Sequence, residues 1–104
     1  MIVTITTFTL PQPTTLAEIT KTFQTTAPKY RGVQGLLRKT YFLSEDGRRV
    51  GGIYFWQSRA DAERMYTAEW TKFVTDKYGT PPKVEYLQAP VTVDNGAGTI
   101  SVAA

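Results

Sequence analysis

The pattern of apolar and polar residues predicts a strand and then a helix at the start of the chain. Residues 2 to 10 are rich in β-branched side chains and end at Pro11, which is typical of a β-strand. Thr15 and Glu18 have the spacing of a capping box. Apolar residues follow at helical spacing, at Leu16, Ile19, Phe23 and Ala27. We expect Pro28 to end this helix, because proline interrupts helical hydrogen bonding.

A hairpin follows the first helix. Residues 36 to 44 alternate small, charged and aromatic side chains, and residues 50 to 57 form a third predicted strand. Between them Gly47 supplies the positive φ that a tight turn requires. The pair Gly51 and Gly52 leaves two interpretations open, a bulge or close backbone approach on one hand and a simple kink at the strand start on the other.

A second helical region begins at Ser58, a residue that favours the N-cap position. Its inward-facing residues are predicted to be Ala62, Met65 and Tyr66. We expect residues 67 to 69 to interrupt the helix before a second piece from Trp70 to Tyr78, which Gly79 ends.

The end of the chain predicts one more strand and a tail. After Pro82 an extended start is expected, so residues 83 to 93 are predicted as the fourth strand. Residues 94 to 104 are small and weakly patterned, which indicates a flexible or partner-contacting C-terminal tail. The order β-α-β-β-α-β predicts a single ferredoxin-like α+β domain over residues 1 to 93, with a four-stranded antiparallel sheet and both helices on one face.

Both faces of the predicted sheet are apolar. Along the third strand, Tyr54 and Trp56 lie on one face while Ile53 and Phe55 lie on the other. The helices can cover only one of these faces. We expect a second copy of the chain to cover the other, which predicts a homodimer formed through the sheet faces.

The composition excludes several classes of functional site. The 104 residues include no cysteine and no histidine. This excludes a disulfide framework, a thiolate nucleophile, a thiolate zinc site, a Ser-His-Asp triad and a facial two-histidine iron site. No phosphate-binding glycine loop follows a strand, and neither a metal site nor a cofactor is predicted.

The charge distribution and the hydropathy of the chain bear on two classes of partner, nucleic acids and membranes. The net charge of +3 is concentrated in residues 21 to 49, where seven Lys and Arg side chains face only Glu45 and Asp46. Their spacing does not follow a nucleic-acid groove, so we interpret them as a solvated hairpin edge and expect no nucleic-acid partner. No apolar run resembles a signal peptide or a membrane span, which predicts a cytoplasmic protein with no membrane partner.

The candidate chemistry lies where aromatic residues meet a cation. Tyr54 and Trp56 share a strand face, and the turn decides which residues of the second strand join them. A four-residue loop pairs Lys39 with Tyr54, whereas a three-residue loop with a bulge brings Arg38 and Thr40 to that side. Such a cluster can sandwich a flat aromatic ligand, with tyrosine hydroxyls and a cation near its oxygens. The alternative is that these aromatic residues are simply core.

Each candidate residue has a predicted role. The catalytic candidates are Arg38, Tyr41 and Tyr54, and the substrate-binding candidates are Lys39, Trp56, Tyr66, Trp70 and Phe73. Arg38 or Lys39 would stabilise a substrate anion. A proton acceptor would come from a perturbed tyrosine, from Lys39 or from Glu69, unless the substrate ionises by itself.

Several motifs resemble those of a known family. They are Gly35-Leu-Leu-Arg-Lys-Thr-Tyr41, the turn Glu45-Asp-Gly47, Gly51-Gly-Ile-Tyr-Phe-Trp56, Ser58, Ala62, Glu69-Trp70, Tyr78-Gly79 and Pro82. Over roughly residues 1 to 95 the chain resembles the YdhR-type mono-oxygenases, which belong to the dimeric α+β barrel superfamily together with the antibiotic-biosynthesis mono-oxygenases. The resemblance implies a ferredoxin-like protomer that pairs sheet to sheet, with a hydrophobic pocket between sheet and helices.

The resemblance also implies an activity. Better-understood relatives insert oxygen into a polycyclic phenol without metal or flavin, and they use Asn, Trp and sometimes His in the pocket. This chain has no histidine, and its only asparagine is Asn95. In this respect the chain departs from those relatives. The resemblance implies a cofactor-independent mono-oxygenase that acts on a small aromatic, polyketide-like or quinone compound. The alternatives are a non-catalytic dimer that binds small hydrophobic molecules and a lyase or cyclase that uses the same pocket.

Overall fold

The order of strands and helices is seen in a computed structural model that describes residues 1 to 103. These residues form β1 (Ile2–Thr9), α1 (Leu16–Tyr30), β2 (Leu36–Leu43), β3 (Arg49–Trp56), α2 (Arg59–Met65), α3 (Ala68–Tyr78), β4 (Lys83–Gln88), β5 (Val91–Asp94) and β6 (Thr99–Val102). The first four strands form one antiparallel sheet in the order β2-β3-β1-β4, and the last two form a separate hairpin. The ferredoxin-like α+β prediction is confirmed.

Helix α1 begins where the capping residues predict but extends past Pro28. The Thr15 hydroxyl accepts a hydrogen bond from the amide of Glu18 at 3.2 Å. The expected end at Pro28 is wrong, because Pro28 lies within the last turn and the helix continues to Tyr30. Proline removes one backbone donor from this turn. Tyr30 is buried in the core, and its packing holds the turn in place.

The second helical region is divided in two, as predicted, but the break lies at Tyr66 and Thr67. Ala68 and Glu69, which were expected in the break, belong to α3. The Ser58 hydroxyl caps α2, and the Thr67 hydroxyl caps α3 by accepting a hydrogen bond from the amide of Trp70 at 3.1 Å. Gly79, with φ of 74°, ends α3 in the left-handed conformation that glycine adopts without strain. None of the helices within residues 1 to 103 is long and apolar enough to cross a membrane.

The hairpin formed by β2 and β3 has the four-residue loop, one of the two alternatives that the sequence left open. Lys39 pairs with Tyr54, and on the other side of β3 Thr4 pairs with Tyr54. These three side chains therefore lie on the face of the sheet that the helices cover. The register shifts once, next to Arg38, which pairs with Phe55 and lies on the opposite face.

The chain after β4 differs from its prediction. The fourth strand was expected over residues 83 to 93, but β4 ends at Gln88. Pro90 has no amide donor for the sheet, and the chain leaves the sheet there to form β5. Part of the predicted tail, residues 99 to 102, pairs with β5 as β6, while Ala104 lies outside the described residues. Contact of this segment with a partner stays a prediction.

Two buried clusters fill the space between the sheet and the helices. One consists of Phe8, Ile19, Val50, Trp70 and Val74, and the other of Tyr30, Tyr54, Trp56 and Ala62. On the opposite face of the sheet, which we call the open face, the apolar side chains of Val3, Ile5, Ile53 and Phe55 are only partly buried. The candidate site must therefore be sought on the helix-covered side.

Candidate functional site

Three tyrosine rings surround the amino group of Lys39. Its Nζ lies 3.3 Å from the ring centroid of Tyr30, 3.9 Å from that of Tyr41 and 4.7 Å from that of Tyr54. Helix α1 supplies the first ring, β2 the second and β3 the third. We call these three residues the aromatic cage. The hairpin register creates it, because it places Lys39 beside Tyr54 on the helix-covered face.

The aromatic cage removes Lys39 from water without supplying a counter-charge. Within residues 1 to 103, Lys39 forms no ion pair. Burial lowers its pKa from 10.5 to about 7. The ring faces attract the ammonium form, whereas desolvation favours the neutral amine. Both forms are therefore populated near neutral pH, and Lys39 can accept or donate a proton.

The neighbouring tyrosines stay protonated. Burial raises the pKa of Tyr54 far above its usual range, and it also raises the pKa of Tyr41 and of Tyr66. The Tyr41 hydroxyl shares a hydrogen bond of 2.8 Å with Thr26. A tyrosinate base, one of the expected proton acceptors, is disfavoured by these surroundings. Of the expected acceptors inside the cluster, the environment favours Lys39.

Two of the predicted ligand-binding aromatics are held by a buried threonine. The Nε1 of Trp56 donates a hydrogen bond to the Thr4 hydroxyl oxygen at 2.9 Å, and the same oxygen is hydrogen-bonded to the Tyr66 hydroxyl. Thr4 and Trp56 are both 0% exposed. The Trp56 ring stacks on Tyr54 with centroids 6.0 Å apart. Trp56 and Tyr66 therefore pack against Tyr54 of the aromatic cage.

The space beside the aromatic cage is almost filled. This inner cavity has a volume of about 10 Å³, which is room for about one water molecule. Five of the predicted site residues line it, namely Lys39, Tyr41, Tyr54, Trp70 and Phe73, whereas Trp56 and Tyr66 do not. An aromatic ligand can reach the inner cavity only if side chains move.

A larger pocket lies next to the inner cavity, between α1 and α3. This outer pocket has a volume of about 350 Å³ and is lined by Lys29, Tyr30, Val33, Met65, Thr67, Glu69 and Trp70. The Nε1 of Trp70 donates a hydrogen bond to the Tyr30 hydroxyl at 3.0 Å, and both residues also line the inner cavity. The Tyr30–Trp70 pair is thus the wall that separates the two spaces.

Arg38 does not join this cluster. Its guanidinium carbon lies 5.4 Å from the ring centroid of Phe55, on the open face of the sheet. Because side chains alternate along a strand, Arg38 cannot share a face with Tyr41 and Tyr54. The expectation that grouped Arg38 with these tyrosines is wrong, and Lys39 is the cation beside them.

Sequence reasoning missed Tyr30 and two buried threonines. Tyr30 completes the helical spacing that Phe23 and Ala27 begin, but the expected helix end at Pro28 placed it outside the helix. Thr6 and Thr26 line the inner cavity, and no pattern in the sequence distinguishes them from the many other threonines.

Within residues 1 to 103 no group of three or more acidic side chains could hold a metal ion.

Comparison with solved structures finds similar folds. One is a mono-oxygenase from the gene ActVA-Orf6 of Streptomyces coelicolor in complex with Nanaomycin D, with a TM-score of 0.65 at 23% identity over 85% of this chain and 86% of that one. Another is SnoaB, a cofactor-independent oxygenase from Streptomyces nogalater, with a TM-score of 0.64 at 18% identity over 88% of this chain and 95% of that one. At these identities the likeness shows the fold alone.

Comparison at the level of sequence finds less. No sequence-family model and no curated protein matches the chain. The resemblance to the YdhR-type family therefore stays a prediction. The chain shares the ferredoxin-like fold of the mono-oxygenase and the oxygenase named above.

Proposed function

We propose that this chain is a mono-oxygenase that acts on a small aromatic phenol or quinone-forming compound without a metal or a flavin. One observation carries the proposal. The amine of Lys39, whose lowered pKa lets it be neutral near pH 7, lies inside the aromatic cage and close to the outer pocket. The fold is one that a mono-oxygenase and a cofactor-independent oxygenase also have, which supports the proposal by analogy.

The proposed chemistry begins with a proton transfer. The amine of Lys39 accepts the phenol proton, and the resulting ammonium lies next to the phenolate and stabilises it. The electron-rich ring carbon then reacts with dioxygen. One oxygen atom becomes a carbonyl oxygen on the ring carbon. The other leaves as water with the hydrogen of that carbon and the proton that Lys39 took from the phenol, and the substrate is oxidised to a quinone. The tyrosine hydroxyls, which burial keeps protonated, serve as hydrogen-bond donors to the substrate oxygens.

Access to Lys39 requires a movement. A ring system fits the outer pocket of about 350 Å³ but not the inner cavity of about 10 Å³. The substrate would therefore bind first in the outer pocket and reach the amine when the hydrogen bond between Trp70 and Tyr30 opens. Phe73 is 37% exposed and lines the inner cavity, so it is the most exposed of the predicted site aromatics beside Lys39.

A second candidate function is non-catalytic binding of small hydrophobic molecules. The observation that favours it is the filled inner cavity, since a binder needs only the outer pocket. In this case Lys39 and the aromatic cage are structural. The two candidates differ in whether the bound compound is changed.

Oxygen consumption and product analysis separate these candidates. Purified protein is mixed with a panel of anthrol- and naphthol-like phenols, and a fluorescent aromatic probe reports binding in parallel. We expect uptake of one O₂ per product and at least about 100-fold slower turnover in Lys39→Met, whereas Lys83→Met, which removes an exposed lysine, keeps the wild-type rate. Binding without oxygen uptake across the panel would contradict the oxygenase proposal, and conversion without oxygen uptake would indicate a lyase or cyclase.

We also propose that two copies of the chain pair through their open faces. The apolar side chains there are only partly covered, and the β5–β6 hairpin exposes further apolar residues, with Val91 58%, Val93 62%, Ile100 73% and Val102 75% exposed. A pocket of about 470 Å³ separates this hairpin from the open face. A second chain that packs on this surface would remove most of it from water.

A further inference from the structure

Lys39 is reachable from a second direction, at the edge of the sheet. A pocket of about 260 Å³ lies between the end of α1 and β2, and we call it the edge pocket. Its lining includes five charged or aromatic residues, namely Tyr30, Arg31, Arg38, Lys39 and Tyr41. Lys39 and the two tyrosines line both the edge pocket and the inner cavity. Lys39 thus lies between the core and an open surface pocket, and two of the rings around its amine, those of Tyr30 and Tyr41, belong to residues that line both spaces.

The edge pocket is cationic and has no internal neutralising charge. Arg31 and Arg38 line it, and no acidic residue among residues 1 to 103 does. The Arg38 guanidinium lies beside Phe55 on the open face, so Arg31 is the arginine assigned to a ligand near Lys39. Neither arginine forms an ion pair within that range. Unpaired guanidinium groups at the rim of a pocket favour a ligand that carries a carboxylate.

The amine of Lys39 is suited to nucleophilic attack. A lysine that is desolvated among aromatic rings keeps a larger neutral fraction than a lysine in water, and the neutral amine is the reactive form. The titratable and charged residues that share a pocket with it are Tyr30 and Arg31 at the end of α1, Arg38 and Tyr41 from β2, Tyr54 from β3, and Lys77 and Tyr78 from α3. None of them carries a carboxylate that would hold Lys39 in its charged form.

We propose that Lys39 captures a small carbonyl compound that carries a carboxylate, such as a 2-oxo acid or an aldehyde acid, as an imine in the edge pocket. The amine nitrogen attacks the carbonyl carbon to give a carbinolamine. This intermediate loses the former carbonyl oxygen as water, and a C=N bond joins the ligand to Lys39. One amine and one carbonyl group give one imine and one water, with no oxidant or reductant. The edge pocket is open to solvent, so water carries the protons.

This capture shares the neutral amine of Lys39 with the oxygenase proposal but not the path of the ligand. It uses the edge pocket on one side of Lys39, whereas the phenol would approach from the outer pocket past Trp70. A protein that oxidises no phenol can still form the imine, and the reverse also holds. Loss of one activity alone therefore contradicts only that proposal.

Reductive trapping tests the proposal within the wild-type protein. The full chain is incubated with glyoxylate and cyanoborohydride near pH 7, which converts an imine to a stable carboxymethyl-amine, and peptide mapping locates the label. The five other lysines, at positions 21, 29, 72, 77 and 83, are exposed and serve as internal controls, and mapping separates the amino terminus. We expect Lys39 to be labelled at least about tenfold faster than any of them, because an ordinary lysine is almost fully protonated at this pH.

Two further readouts test the amine and the carboxylate recognition separately. The ratio of labelling at Lys39 to that at Lys83 should fall as the pH rises from 7 to 10. An ordinary lysine gains most of its neutral form over this range, whereas the amine of Lys39 is already about half neutral at pH 7. The same ratio should be several-fold higher with glyoxylate than with acetaldehyde, and Arg31→Gln should lower it for glyoxylate only. Labelling of Lys39 no faster than that of the exposed lysines overturns the proposal. Equal ratios for the two aldehydes overturn the carboxylate preference.

Discussion

At the scale of single residues, one hydroxyl organises the aromatic side of the core. The Thr4 oxygen accepts a hydrogen bond from Trp56 and is hydrogen-bonded to the Tyr66 hydroxyl. Trp56 and Tyr66 both pack against Tyr54 of the aromatic cage. Trp56 is fully buried, so its N–H has no access to water as an alternative partner. A buried donor without a partner costs more than the hydrogen bond itself contributes. Thr4 is therefore a polar residue that the apolar core requires.

Replacing Thr4 by valine tests this role. Thr4→Val keeps the shape of the side chain but leaves the Trp56 N–H and the Tyr66 hydroxyl unpaired, so we expect the free energy of unfolding to fall by about 1–3 kcal/mol. Thr9→Val makes the same change at an exposed position of the same strand, and it should stay within about 0.5 kcal/mol of wild type. Urea unfolding followed by tryptophan fluorescence measures both. Equal stabilities of the two variants would contradict the role assigned to Thr4.

The candidate site could be predicted in part at this scale. The sequence indicates that a cation meets Tyr54 on one strand face, and the alternation of side chains restricts the choice to Lys39 or Arg38. The choice itself depends on the length of the hairpin loop, which local sequence leaves open. Tyr30 reaches the site across the domain from α1, and no spacing along the chain encodes its distance of 3.3 Å from Lys39.

At the scale of elements, β3 has two consecutive glycines where it pairs with Thr6 and Thr7 of β1. A Cβ added at Gly51 would lie 1.8 Å from the backbone oxygen of Thr6, so the two strands can approach only without a side chain there. At Gly52 the added atom would meet the side chains of Lys39 and Tyr54, each at 2.9 Å. The pair is therefore a close approach, one of the two interpretations that the sequence left open, and Gly52 leaves the space that the cage occupies.

Substitution of Gly51 should separate β1 from β3. We expect Gly51→Ala to lower the free energy of unfolding by about 2 kcal/mol or more, because the clash is with backbone that cannot rotate away. Gly96→Ala is the control, since Gly96 lies in the exposed β5–β6 turn and its nearest atom, a side-chain oxygen of Asp94, is 3.3 Å from the added Cβ. Thermal unfolding compares the two variants. Wild-type stability of Gly51→Ala would contradict the close approach.

Element boundaries were predictable where a side chain fixes them locally. Thr15 and Ser58 begin α1 and α2 by accepting a hydrogen bond from a backbone amide three residues further on, and Gly79 ends α3 in the left-handed backbone conformation. Pro28 was misjudged because its local cost is opposed by the burial of Tyr30, which is a tertiary contact. The division of the last predicted strand was missed because β5 pairs with a segment whose composition resembles a tail.

At the scale of the whole molecule, apolar surface remains uncovered on the open face. Leu37 is 51% exposed and Leu87 is 44% exposed at the two edge strands, with partly buried Ile53 and Phe55 between them. This is the surface that the proposed dimer would bury. A charge placed in the middle of such an interface loses its water, whereas the same charge elsewhere on the protein stays hydrated.

The dimer is testable with one pair of matched substitutions. We expect wild-type protein to sediment at micromolar concentration with twice the chain mass of 11.6 kDa. Leu87→Glu places a carboxylate on the open face and should weaken the dimer at least about tenfold, which corresponds to about 1.4 kcal/mol or more of lost association free energy. Leu16→Glu makes the same change at the start of α1, where leucine is 70% exposed and away from the sheet, and it should leave the dimer intact. A monomeric wild-type protein, or a dimer that Leu87→Glu does not weaken, would show that the open face is not the interface.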